Sequence, residues 1–191
     1  MISHLNGKLV EKNPTNLIIE CAGVGYDVKI SLTTFSSIGS NEAIQLFTQF
    51  IVREDAQLLY GFSTKEEREM FNYLISVSGI GPNTAMIMLS SLIPSEIANS
   101  IATEDVKTIQ SIKGIGIKTA QRVIVDLKDK MTKWEFSLLN HNVGHNKNKL
   151  DALIALSSLG FDKKNAEKAI EKVCIGDETV EQLIKAALKI L

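Results

Sequence analysis

Two passages of this chain repeat one another 35 residues apart, and each holds a pair of glycines that few backbone arrangements require. The first runs Leu74-Ile75-Ser76-Val77-Ser78-Gly79-Ile80-Gly81-Pro82-Asn83-Thr84-Ala85. The second runs Ile109-Gln110-Ser111-Ile112-Lys113-Gly114-Ile115-Gly116-Ile117-Lys118-Thr119-Ala120. Each reads as an apolar helix end, then Gly-Ile-Gly, then a polar or basic turn into a helix that opens Thr-Ala. Two glycines let the backbone fold into a tight hairpin and approach a ligand closely, because they lack Cβ and tolerate positive φ. The Ile between them can point back and lock the hairpin onto its helices, and Pro82 suits a first helical turn.

Such a hairpin presents free N–H groups at a helix start, where the partial positive charge favours an anion. Lys118 and Arg122, four residues apart on the second helix, can reach the same or an adjacent phosphate. Nothing in the pattern reads a base edge, so binding to a nucleic-acid backbone is expected to be largely independent of sequence. The expected DNA-gripping residues are Gly79, Ile80, Gly81, Asn83 and Thr84 in the first hairpin. In the second they are Lys113, Gly114, Ile115, Gly116, Lys118, Thr119 and Arg122. A single Gly-x-Gly is as readily a plain interhelical turn; two copies in matching context, the second followed by basic residues, weigh against that reading. Nucleotide binding fares worse. The second passage lacks the G-x-x-x-x-G-K-[ST] spacing and follows no strand, and Thr84 and Thr119 stand where a dinucleotide fingerprint needs its third glycine.

Charge permits a nucleic-acid partner without demanding one. The net charge is −1, but residues 107–133 hold seven basic and two acidic side chains, a local excess that elsewhere is often only a solvated helix face. Apolar residues make up 45% of the chain, enough for real cores. No apolar stretch is long enough to span a membrane, and the start, MISHLNGKLVEK, lacks a basic segment followed by an apolar run. A cytoplasmic protein is expected. Cys21 and Cys174 stand far apart with no Cys or His at metal-ligand spacing, so both read as ordinary reduced thiols. No metal, cofactor or catalytic residue is expected.

The hydrophobic period changes along the chain. Residues 1–62 read as strands: Leu17-Ile18-Ile19, then Tyr26, Val28 and Ile30 in alternation, then Ile44, Leu46, Phe47, Phe50 and Ile51, then Leu58-Leu59-Tyr60, punctuated by Asn13-Pro14, Gly23-Val24-Gly25 and residues 37–41. Five or six short strands suggest a small closed barrel of OB type, since closure removes exposed edges. At Thr64 the period becomes helical. Thr64 and Glu67 form a capping-box pattern, and Met70, Phe71, Leu74 and Ile75 follow at helical spacing. Residues 135–148 show no sustained period and read as a flexible linker, with a coil reach of about 20 Å. Three amphipathic helices follow, marked by Leu150, Leu153 and Ile154, by Ala166, Ala169, Ile170 and Val173, and by Val180, Leu183, Ile184, Ala187 and Leu188. The expected architecture is a multidomain α+β protein: an OB-fold barrel (1–63), a central helical domain with tandem helix-hairpin-helix motifs (64–134), the linker, and a three-helix bundle (149–191).

With these residues in hand, the chain resembles the RuvA family of Holliday-junction-binding proteins along essentially its whole length. The carriers are the tandem hairpins, Met1-Ile2 with Leu5-Asn6-Gly7, Gly23-Val24-Gly25-Tyr26 and, most specifically, the run from Arg53 through Glu54, Asp55, Ala56, Gln57, Leu58, Leu59, Tyr60 and Gly61 to Phe62. The resemblance implies a homotetramer, with an octamer as the larger alternative, that holds a four-way DNA junction open. It implies that the terminal domain recruits the AAA+ motor RuvB for branch migration in recombination and DNA repair, and it admits the junction-resolving nuclease RuvC as a further partner. By this likeness Glu54 and Asp55, which alone read as a polar hairpin turn, form an acidic pin near the junction centre. Residues expected to meet the motor are Leu150, Leu153, Ile154, Phe161, Ile184 and Leu188.

The chain departs from the family pattern at two places. Asn83 stands where relatives often carry Lys, and Ile117 precedes Lys118 where relatives commonly pair two basic residues. Weaker or more salt-sensitive DNA binding than that of a fully basic relative is expected. Two other classes compete. A helix-hairpin-helix glycosylase or nuclease needs a pocketed Asp or Lys, or clustered carboxylates, whereas the carboxylates here are scattered or stand as Glu54-Asp55. A pure protein-docking module predicts that the first two domains alone do not bind DNA.

Overall fold

The computed structural model describes residues 1–39, 42–140, 144–174 and 178–191, with the backbone alone for 133, 135–140, 144–147, 150 and 163. The chain forms two compact units, Met1–Thr132 and Lys133–Leu191.

The first unit opens with β1 (His4–Lys12), β2 (Asn16–Cys21), β3 (Val24–Ile30), α1 (Leu32–Ser37), β4 (Ala43–Val52) and β5 (Gln57–Phe62). The strands close into a barrel in the order β1-β2-β3-β5-β4. All pairs are antiparallel except β3 with β5, where Lys29 faces Tyr60 and Ile30 faces Gly61. The alternation seen in sequence fills the interior: Leu17, Ile19, Val28, Ile30, Leu46 and Leu59 are buried together with Leu5. Two elements were not among the expected runs. β1 is hidden in sequence by its charged residues and glycine; pairing with β2 and β4 on both edges holds it. The short helix α1 forms where the sequence reading names no element, because the Ser31 hydroxyl caps it by accepting from the Thr34 N–H at 2.9 Å.

Helices α2 (Lys65–Ile75), α3 (Pro82–Ser91), α4 (Pro94–Ala102), α5 (Val106–Ser111) and α6 (Ile117–Asn140) follow. Half of the expected capping box forms: the Thr64 hydroxyl accepts from the Glu67 N–H at 3.1 Å. The other half is replaced. Glu67, 2% exposed, does not turn back to its own cap. Its carboxylate accepts from the hydroxyls of Ser31 at 2.5 Å and Thr34 at 2.6 Å, and from the N–H and hydroxyl of Ser63, both at 3.2 Å. The donors presented by the barrel and α1 outnumber the single amide of the cap, and a buried carboxylate goes where it is most fully satisfied. The seam continues through Thr33, which donates to the Leu89 carbonyl at 2.5 Å, and the Leu32 N–H, which donates to the Ser90 hydroxyl at 3.0 Å. Phe71 of α2 packs on Tyr60 and Phe62 with ring centroids 5.1 and 5.0 Å apart. The barrel and α2–α3 therefore share one interior.

The sequence reading places a flexible linker over residues 135–148. The backbone of α6 instead continues through Asn140, and α7 (Gly144–Ser158) takes up soon after; residues 141–143 lie outside the described residues. Loss of apolar period does not end a helix unless a breaker intervenes, and no Gly or Pro occurs between Ile117 and Asn140. In the second unit α7, α8 (Lys163–Val173) and α9 (Val180–Ala187) pack around Ala152, Leu156, Ala166, Ala169, Ile170, Leu183 and Ala187. The alanines let short helices approach closely. Asp162 caps α8, and Thr179 with Gln182 forms a reciprocal capping box on α9.

Candidate nucleic-acid interface

The two glycine passages adopt the same backbone. Gly79 has φ +94° and Gly114 φ +89°, a left-handed conformation that other residues reach only with strain. One residue on, the Ile80 N–H donates to the Val77 carbonyl at 3.0 Å and the Ile115 N–H to the Ile112 carbonyl at 3.1 Å. The next helical turn repeats as well, with Ala85 bonded to Gly81 at 3.0 Å and Ala120 to Gly116 at 2.9 Å. Ile80 and Ile115 are buried, as are Val77 and Ile112, so each hairpin is anchored from below by two apolar side chains. The four glycines Gly79, Gly81, Gly114 and Gly116 are exposed. Gly81 caps α3 without any side-chain bond, so the first-turn N–H groups of that helix have no side-chain cap acceptor. Pro82 takes the first helical position, as its spacing suggested.

The expected polar residues are placed unequally. Lys113 and Lys118 are exposed, and Thr84 and Thr119 are half-buried in the first helical turns. Asn83 is exposed and its side-chain oxygen faces the Tyr60 hydroxyl at 3.5 Å, which ties the start of α3 to β5. Burial pushes the Tyr60 hydroxyl pKa up, an effect partly offset by the charge of Arg53. Arg122 does not simply extend outward beside Lys118: its guanidinium donates to the carbonyl of Ser78 at 3.2 Å and to the Ser78 hydroxyl at 3.4 Å. Sequence reasoning missed Ser78, because nothing local marks a serine as the partner of an arginine 44 residues away.

The second hairpin is braced behind. Lys128 of α6 pairs with Glu104, which occupies a left-handed turn at φ +58° between α4 and α5. Hydrogen bonding and charge in that pair hold the Glu104 pKa below its ordinary value and the Lys128 pKa above it. Asp105 caps α5 by accepting from the Thr108 N–H at 3.1 Å and hydroxyl at 2.6 Å, and these bonds lower its pKa.

Glu54 and Asp55 are exposed at the tip of the β4–β5 hairpin, in a turn closed by the Arg53 N–H on the Ala56 carbonyl at 2.8 Å. In the second unit the six residues expected to meet a partner divide. Ile154, Phe161 and Leu188 are exposed. Leu153 and Ile184 instead pack against the bundle core, because they fall on the inward stripe of α7 and α9. The side chain of Leu150 lies outside the described residues. Leu159, Ile190 and Leu191, which sequence reasoning did not single out, are exposed apolar residues of the same unit. No single helix among the described residues is long and apolar enough to cross a membrane.

A closed five-strand barrel with an acidic turn, sharing its interior with paired glycine hairpins, defines a tandem helix-hairpin-helix protein built on an OB-type barrel. The comparisons with known proteins narrow this. Residues 1–61 match the family model described as RuvA N terminal domain, residues 71–129 the SAM-like Helix-hairpin-helix tandem, and residues 150–191 the RuvA, C-terminal domain. Relatives from Christiangramia forsetii and Flavobacterium psychrophilum are 54% and 53% identical over 191 and 192 residues, covering 99% of each chain. A relative from Cytophaga hutchinsonii is 48% identical with the same coverage. All three are named Holliday junction branch migration complex subunit RuvA. The chain belongs to the RuvA family.

Proposed function

We propose that this chain is the non-catalytic, junction-binding subunit of a branch-migration complex, acting with the ATP-driven motor RuvB in recombination and DNA repair. The observation that carries the reading is the pair of hairpins with one backbone. Each offers exposed glycines and helix-start N–H groups to a phosphate, a grip that does not depend on base identity. The DNA-binding residues are Gly79, Ile80, Gly81, Asn83, Thr84, Lys113, Gly114, Ile115, Gly116, Lys118, Thr119 and Arg122. The domains divide at 1–63, 64–134 and 149–191, with 135–148 as the connection.

A homotetramer, or an octamer of the same chain, brings the Glu54-Asp55 turns of its subunits to the crossover of a four-way junction. Carboxylates gathered there repel phosphates, disfavour strands crossing the centre, and steer separated strands outward. The nuclease RuvC fits the same reading as a further partner on the opened junction, and the cytoplasm is where such DNA is met. Counterion release decides between the two expectations raised by Asn83 and Ile117: binding is weaker, but not more salt-sensitive. Fewer cations at phosphate weaken binding and make its salt dependence shallower. Protein carrying Asn83→Lys with Ile117→Lys is therefore expected to bind junction more tightly at low salt and to lose affinity more steeply as salt rises. Identical salt titrations of the two proteins would contradict this.

Residues 149–191 serve the motor and not the DNA, through exposed Ile154, Phe161 and Leu188. The test compares the full chain with residues 1–148. Truncation is expected to leave junction affinity within about twofold, the range a distant, independent unit allows, and to abolish stimulation of RuvB. Loss of junction binding with stimulation intact would overturn the assignment.

A further inference from the structure

The first hairpin has no cation of its own. Between Ser76 and Thr84 the chain carries neither Lys nor Arg, whereas the second hairpin has Lys113 and Lys118 at the positions equivalent to Ser78 and Asn83. Two hairpins with one backbone thus differ in charge. The structure supplies what the first lacks from elsewhere. One terminal nitrogen of the Arg122 guanidinium donates to the carbonyl and the hydroxyl of Ser78, and a guanidinium nitrogen carries the two hydrogens this needs. Ser78 replaces the long Lys113 of the other copy with a short side chain that adds an acceptor. The guanidinium keeps its remaining N–H donors for a further partner. Lys118, one turn earlier on α6, has no protein partner among the described residues and stays beside its own hairpin.

We infer that Arg122 is the cation of the first hairpin, lent to it by the helix of the second. The inference rests on the proposed phosphate-gripping role and refines it, because the two cations of α6 that the sequence groups together serve different hairpins. A phosphate at Gly79–Gly81 then meets the N–H groups of α3 and the charge of Arg122 at once. The first hairpin becomes a complete site only when α6 is packed against it, so the two motifs grip as a unit. Lysine is a poor substitute, since a single ammonium lacks the fork that serves Ser78 and a phosphate together.

Double-mutant cycles on four-way junction binding test this in the full chain. Gly81→Ala and Gly116→Ala each place a Cβ on the ligand side of one hairpin. Neither Cβ meets any atom within 4 Å, and neither glycine has positive φ, so each lesion falls on ligand approach, with thermal melts as the check on folding. Arg122→Gln is expected to weaken binding about fivefold in the otherwise native and Gly116→Ala proteins, and less than about twofold in Gly81→Ala, the non-additivity of groups sharing one partner. Lys118→Gln is expected to show the reverse pattern, coupling to Gly116→Ala. Arg122→Gln coupling to Gly116→Ala, or adding independently to both glycine lesions, overturns the inference while leaving the hairpins as phosphate grips. Native affinity in all four single variants overturns the phosphate-gripping reading itself, and the inference with it.

Discussion

Protein carrying valine at both Gly79 and Gly114 is expected to lose junction binding by about 100-fold or more, the loss that follows when several phosphate contacts go together. Space is not the obstacle, because a Cβ at either glycine would meet nothing within 4 Å. The backbone is. At φ +94° and +89° a β-branched residue costs about 1–3 kcal/mol, and the chain relieves that strain by rotating out of the left-handed region. Rotation there re-aims the N–H groups that follow and lifts Ile80 and Ile115 from their buried seats. The matched control is Gly160→Val, at φ +95° in the second unit, which carries the same backbone penalty and should leave junction affinity unchanged. Equal loss of binding in the control, or retained binding in the double variant, would contradict the assignment of the hairpins. The measurement is a fluorescence titration against labelled junction at fixed salt.

The second large effect concerns stability. Glu67→Ala removes the common acceptor of Ser31, Thr34 and Ser63 and leaves the buried hydroxyls of Ser31 and Thr34 without it, while the half-buried Ser63 keeps its N–H bond to the Thr34 hydroxyl. Two buried hydroxyl donors left without an acceptor, at about 1–3 kcal/mol each, cost together about 4 kcal/mol. For a cooperative unit of this size that is a fall in Tm of roughly 10–15 °C. Glu67→Gln keeps the shape and one acceptor oxygen, and is expected to lose about half as much. Circular dichroism melts of the three proteins check both values. Because the network joins α1 to the start of α2, the barrel and the helices behind it should melt together. An unchanged Tm in Glu67→Ala, or a barrel that melts apart from the hairpins in the native protein, would show that the seam does not hold them.

That network also marks where sequence reading stops. The hairpins were legible because their demand is local: positive φ at Gly79 and Gly114 needs glycine whatever surrounds it, and the offset of 35 residues is preserved in both sequence and backbone. The barrel was legible from alternation, which the burial of Leu17, Ile19, Val28 and Ile30 follows. Glu67 was read from its spacing to Thr64, and only the half of that reading made by neighbouring residues holds. Of its other partners Ser63 is local, while Ser31 and Thr34 come from across a fold that no local rule anticipates. Arg122 and Ser78 repeat the lesson, since a basic residue beside Lys118 reads as part of the same patch until the packing of α6 brings it to the other hairpin. Leu153 and Ile184 show the limit for surfaces. An amphipathic pattern names the apolar residues of a small helix, but which of them the core consumes is decided by how the helices face one another.

The account stands most directly on the discrimination between a four-way junction and linear duplex. Affinities for a synthetic junction and for duplex built from the same arm sequences should be measured at one moderate salt concentration, for the native chain and for Glu54→Gln/Asp55→Gln. The account predicts strong preference for the junction whatever the arm sequences. It also predicts that the acidic double variant keeps its affinity, because the carboxylates of that turn shape the crossover and do not grip backbone. Equal affinity of the native chain for duplex and junction would contradict it, and would leave the paired hairpins as general grips on phosphate.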